Sequence, residues 1–198
     1  EFRQNINRFV YTCQQAIGAS LDALASGESN KARKINGDLF ERYIRLILKR
    51  IGLDVHDGVV SVPVMIDNEE LFKMSYQHDL IVEKEGAVRA IGSVKTSSKD
   101  RLDKIFVDKF LYNRLTNTTT PHFAIFLNDV QRKGKEPHFG VNTTFLTGHF
   151  KGYTIKLNPL DGVYYCDLRP NMLTDQILSE QIHSLDVLLT EDIWKFLE

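Results

Sequence analysis

The stretch Asp79-Leu80-Ile81-Val82-Glu83-Lys84-Glu85-Gly86-Ala87-Val88-Arg89-Ala90-Ile91-Gly92-Ser93-Val94-Lys95 reads as two strands around a tight turn. Residues 79–83 and 88–95 are rich in Ile, Val and Leu, and Lys84-Glu85-Gly86-Ala87 between them has the composition of a hairpin turn. In an antiparallel pair the start of one strand lies beside the end of its neighbour. Asp79 opens the first strand and Lys95 lies near the end of the second, so both side chains reach one rim of a sheet. Ser93, two residues before Lys95, shares its face.

The flanking segments build a mixed protein around this hairpin. Residues 5–24 carry Ile6, Phe9, Val10, Cys13, Ile17, Leu21 and Leu24 at close to helical spacing, and turn-prone residues 26–30 follow. Residues 35–51 make a second helix with Leu39, Phe40, Tyr43, Ile44, Ile47, Leu48 and Ile51 on its core face and Gly52 at its end. Residues 59–66 read as a strand that Pro63 confines to a sheet edge. Helical spacing returns over 101–115. Phe123-Ala124-Ile125-Phe126-Leu127 is apolar throughout, as expected of a strand covered on both faces. Short strands are expected near 138–145, 153–157 and 162–167, then a helix over 175–189 capped by Thr174 and a last turn at 191–197. The expected architecture is α/β (α+β), a mixed central sheet flanked by helices, with residues 1–198 as a single domain.

Composition narrows the class. The 198 residues are 42% hydrophobic and 26% charged, which fits a folded protein with a sizeable core and argues against disorder. Cys13 and Cys166 are too few for a disulfide framework or a Cys-rich zinc site, and two buried free thiols suit a reducing cytoplasm. No apolar run is long enough to span a membrane. The chain begins at Glu1 rather than at a methionine, which leaves room for a preceding segment in a longer protein.

A carboxylate and a lysine at a sheet rim suit Mg²⁺-dependent phosphodiester hydrolysis. Mg²⁺ takes one or two carboxylates together with phosphate oxygens and water. It activates the water, while the lysine can orient or deprotonate that water and offset the charge developing on phosphorus. One carboxylate is a thin metal site, so a second acid is expected nearby.

Asp79 followed by Ser93-Val94-Lys95 resembles the motif of PD-(D/E)XK nucleases, a strand Asp and then acid-x-Lys on the next strand. His78 stands where that pattern has Pro, and Ser93 where it has the second acid. The same exchange marks the EcoRII/NgoMIV group of type II restriction endonucleases, whose missing acid comes from a helix. The resemblance spans roughly residues 35–130 and implies a restriction-endonuclease-like fold. It also implies Mg²⁺ as cofactor, Asp79, Lys95, Glu41 and Ser93 as the catalytic set, and double-stranded DNA as substrate. Two acids compete for the displaced position, Glu41 on the preceding helix and Asp108 thirteen residues after Lys95; Glu41 is favoured, with Asp108 in the surrounding shell. In that group, residues just after the lysine read C:G pairs of a CC/GG-containing site, which points to Lys99, Asp100 and Arg101. Lys or Arg donates to guanine O6 and N7, and Asp accepts from cytosine N4. Palindromic sites are read by two-fold symmetric proteins, so a homodimer is expected.

The formal net charge of −1 conceals opposed regions. Residues 84–114 hold eight basic and four acidic side chains, while residues 171–198 hold six acidic ones and a single lysine. This predicts a DNA-facing side and an acidic back. Arg132 and Lys133, in a basic loop with Lys135, are further candidates for DNA contact. Each candidate also has an ordinary use: Asp79 can end a strand, Lys95 can protect a sheet edge, Glu41 can be a solvated helix carboxylate, and His78 can simply pack. A structure-specific repair nuclease and a catalytically inactive DNA-binding domain of the same fold stay open as alternatives.

Overall fold

A six-stranded sheet organises the chain, in the order β1-β2-β3-β4-β7-β8. The structure, a computed structural model, describes residues 1–21, 23–24, 26–133 and 140–198, with only the backbone described at residue 26 and over 131–133. β1 (Asp54–Ile66), β2 (Glu69–Lys84) and β3 (Ala87–Lys95) form an antiparallel meander. β3 then runs parallel to β4 (His122–Phe126), which is followed by β7 (Gly162–Tyr165) and β8 (Ile182–Ser184), also parallel. β5 (Val130–Lys133) and β6 (Gly140–Thr143) make a separate two-stranded ribbon. This is the mixed sheet flanked by helices that the sequence predicts.

The turn between β2 and β3 places Glu85 at φ 56° and Gly86 at φ 73°, the pair of left-handed residues that matches the twist of a two-residue hairpin. Asp67 and Asn68, at φ 48° and 66°, make a second such turn between β1 and β2. β2 is therefore much longer than 79–83, and Asp79 lies well inside it. Only Leu80 to Lys84 of β2 pair with β3, so the distal parts of β1 and β2 project as a ribbon. Pro63 lies on β1, which is an edge strand as predicted.

Helices cover both faces. α1 (Phe2–Leu21), α2 (Ser29–Arg50) and the C-terminal turns pack on one face over Leu80, Val82, Ala90, Val94, Phe123 and Ile125. α3 (Leu102–Thr116), α4 (Thr147–Lys156), α5 (Pro170–Thr174) and α6 (Gln176–Gln181) cover the other, over Ala124, Phe126, Val163 and Tyr165. Alternate residues of β4 enter opposite cores, and all five are buried. Gly92 permits this packing: a Cβ there would stand 2.6 Å from the Phe123 ring.

Other sequence expectations also need correction. Residues 153–157 belong to α4, because Phe150 docks that segment as a helix into the second core. The helix expected over 175–189 is broken: α6 ends at Gln181, β8 pairs with β7, and helical structure resumes in α7 (Leu185–Val187), a π turn (Leu188–Asp192) and α8 (Ile193–Lys195). Asp175, not Thr174, caps α6, accepting from the backbone N–H of Ile177 and Leu178. Both cysteines are free; Cys166 is buried, which pushes its thiol up to about 12, whereas Cys13 is only half-buried. Among the described residues no helix is long and apolar enough to cross a membrane.

Candidate active site

Lys95 ends β3 with its side chain between two acids. Its Nζ lies 2.7 Å from Asp79 Oδ2 and 2.7 Å from Glu41 Oε1. The hairpin register brings Asp79 there: Leu80 pairs with Gly92, so Asp79 falls beside the end of β3, and its Oδ2 accepts from the Val94 N–H at 2.8 Å. Glu41 arrives from α2, where buried Phe40 and Ile44 seat the helix against the sheet. Of the two acids the sequence left open, Glu41 is the one in contact with Lys95. Asp108 is paired with Lys104 on its own helix, although it lines the same cleft. Ser93 lines that cleft beside Lys95.

The electrostatics follow from the crowding. Burial raises the Glu41 pKa, and the negative charge of Asp79 adds to the rise, against the hydrogen bond from Lys95. Burial alone would lower Lys95, but Asp79 and Glu41 outweigh it and hold the ammonium above its ordinary range. Two carboxylate oxygens thus converge on one cationic atom. Among the described residues no group of three His, Cys, Asp or Glu side chains could hold a metal ion. Asp79 and Glu41 nevertheless fit Mg²⁺, which needs one or two carboxylates and takes its other oxygens from phosphate and water.

The site opens into a cleft of about 670 Å³. Lys99, Arg101 and Lys104 line one wall, and Arg33 and Lys34 of α2 also reach it; none of the described residues from 124 to 198 does. Half of the eight cations in 84–114 therefore face the cleft, whereas Lys109 is buried against Asp161 at 2.7 Å. Lys99, Asp100 and Arg101 are all exposed. Asp100, at φ 56°, lines a separate recess of about 210 Å³ with Leu102, His149 and Tyr153. The backbones of Arg132 and Lys133 lie in β5; their side chains, and Lys135 altogether, lie outside the described residues.

Two positioning residues escape a reading of the sequence. Arg45, one turn beyond Glu41, donates to the Asp79 carbonyl at 3.3 Å and pairs with Asp57 at 3.1 Å, where the β1–β2 register shifts. It ties α2 to the strand that carries the other acid. Asp129 is fully buried and accepts from the Ser98 N–H at 2.9 Å, Thr144 Oγ1 at 2.7 Å and the Tyr165 hydroxyl at 2.6 Å. It anchors the loop that presents Lys99 and Arg101. A local sequence signal for either was absent, because their partners are distant in the chain.

Beside the cleft, His78 is buried and stacks on Tyr76 with ring centroids 5.9 Å apart, and Tyr112 and His122 pack edge-on to it. It packs, as its ordinary use suggests. His122 is buried with Nδ1 2.9 Å from the Thr120 carbonyl, and desolvation lowers its pKa to about 4. Between pH 6.5 and 4 the unfolded chain binds a proton that the folded chain refuses, so His122 stabilises fully above pH 6.5 and loses that contribution as pH falls toward 4. We expect stability to drop by at most about 3 kcal/mol across this window from this residue. His122→Gln should flatten the profile in urea unfolding; an unchanged slope would refute the assignment.

No family model matches the sequence, and no curated protein matches it. Among solved structures, the crystal structure of the Type IIP restriction endonuclease Kpn2I is similar, with a TM-score of 0.62 and 15% sequence identity, over 94% of this chain and 71% of that one. At that identity the likeness is one of architecture: the chain has the fold of a restriction endonuclease.

Proposed function

We propose that the chain is a type II restriction endonuclease of the PD-(D/E)XK superfamily that hydrolyses phosphodiester bonds in double-stranded DNA at a CC/GG-containing site with Mg²⁺. The observation that carries this reading is the convergence of Asp79, Glu41 and Lys95 at the end of β3, in a cleft edged with Lys99, Arg101 and Lys104. The endonuclease fold supports it. When bound, Mg²⁺ supplies Lewis acidity and a water of lowered pKa. Asp79 and Glu41 would hold the ion; Lys95 would offset charge on the phosphate and orient the attacking water, and Ser93 lines the cleft beside them.

Lys99 and Arg101 face the cleft and are the donors to guanine, while Asp100, on the other side of the loop, accepts from cytosine N4. A two-fold symmetric dimer would present this loop twice to a palindrome. Incubating a sequenced plasmid with the protein and Mg²⁺, then mapping the ends, tests the reading. Discrete fragments ending at a CC/GG-containing sequence are expected, and EDTA should abolish them. Cutting confined to junctions or flaps would move the protein to repair. Arg101→Ala should relax discrimination at one base pair by about 1–3 kcal/mol, read as the ratio of cleavage rates on duplexes differing at that pair.

A further inference from the structure

One face of α2 runs along the cleft. Asn30, Arg33, Gly37 and Glu41 recur at three- and four-residue spacing and all line it, so a single stripe leads from the first turn of the helix to the acid at Lys95. The residue at the middle of that stripe is a glycine. Apart from proline, glycine is the poorest residue for a helix interior. A Cβ at Gly37 would meet nothing within 4 Å, and its backbone is not left-handed, so neither packing nor conformation within the chain calls for glycine. The remaining reason is what approaches from the cleft side. Lys34 is committed to Asp38 at 3.0 Å, whereas Arg33 makes no ion pair among the described residues.

We infer that the Arg33–Gly37 face of α2 seats the sugar-phosphate backbone of the DNA strand next to the scissile bond: Gly37 leaves the helix bare for close approach, and Arg33 takes a phosphate. Arg33 and Glu41 are eight residues apart, about 12 Å along the helix. With the reach of its side chain, Arg33 meets a phosphate about one or two nucleotides from the one at Glu41. The inference rests on the nuclease reading and adds to it the contact that holds the strand in place.

The test uses the full chain, a fluorescein-labelled duplex carrying the site mapped from plasmid digestion, Ca²⁺ for binding and Mg²⁺ for cleavage. Gly37→Leu should raise the Tm of the free protein by roughly 2–4 °C. It should also weaken duplex binding at least about tenfold, because the added side chain occupies the space the backbone needs. A merely structural glycine would not give a variant that is more stable and binds less. Arg33→Gln should weaken binding to all sequences alike and reduce the slope of log affinity against log salt by about one. Gly37→Leu protein that binds and cuts like wild type overturns the inference while leaving the nuclease reading intact. Wild-type protein that binds a random duplex without cutting any DNA overturns the nuclease reading, and the Gly37→Leu comparison on that duplex still decides the seat. Failure of the wild type to bind DNA at all overturns both.

Discussion

Lys95→Ala protein should bind duplex DNA close to the wild-type affinity and cleave it on the order of 10²–10⁴-fold more slowly. In the proposed function the attraction for the duplex comes from Lys99, Arg101 and Lys104, which line the same cleft and remain in the variant, so binding is largely spared. Its ammonium is 2.7 Å from both acids, and their charges keep it protonated through the neutral range. This favours, within the proposed mechanism, the role of a fixed cation over that of a base. Its loss removes a positive charge from beside the reacting phosphate in a half-buried site, where such a charge is poorly replaced by solvent. Lys95→Arg should restore little, because a wide guanidinium fork does not fit between two carboxylates that share one nitrogen. Circular dichroism and a binding titration alongside the cleavage assay separate catalysis from folding. Undiminished cleavage by Lys95→Ala would sink the proposed centre.

The second large effect is on stability. Asp129→Ala strips the acceptor from three donors, the Ser98 N–H and the Thr144 and Tyr165 hydroxyls, at a fully buried position. Each buried donor left without a partner costs roughly 1–3 kcal/mol, and partial relaxation brings the sum to about 3–5 kcal/mol. That is a large part of the roughly 5–15 kcal/mol holding a typical domain together. Burial, and then Asp129 itself, holds the Tyr165 hydroxyl far above its ordinary range, so it remains a donor at any working pH. Asp129→Asn keeps the shape but turns an amide toward these donors and should recover only part of the loss. Urea unfolding measures the first effect. Poorer discrimination between cognate and non-cognate duplexes at a temperature where the variant is folded measures the second, since Ser98 begins the loop proposed to read the bases. An Asp129→Ala chain as stable as wild type would remove this account.

The parts of the fold legible in the sequence are those fixed by local chemistry. The 79–95 hairpin announces itself through turn residues and apolar strands, and β4 through an unbroken apolar run. By contrast, residues 69–78 of β2 lie largely in the projecting ribbon, where Leu71 and Phe72 are exposed and no burial pattern marks a strand. Tyr153, Ile155 and Leu157 alternate like a strand, yet Phe150 anchors the segment as a helix. β8 carries no local signal because pairing with β7 creates it. In the site, Asp79 and Lys95 follow from hairpin geometry, whereas Glu41 depends on how α2 packs and came only through the family resemblance. Arg45 and Asp129 bond to groups 34 and 31 residues away, contacts that no window of sequence contains.

The two carboxylates stand on different layers of the protein, Asp79 on the sheet and Glu41 on the helix above it. Their separation is accordingly a property of the hydrophobic core, set by Phe40 and Ile44 underneath and locked by the reach of Arg45 to the Asp79 carbonyl. The jaws of the site work like a caliper whose screw is buried packing. A methylene gained or lost far from the cleft would change the width between the acids, and so how well the gap suits the Mg²⁺ that the proposed function places there.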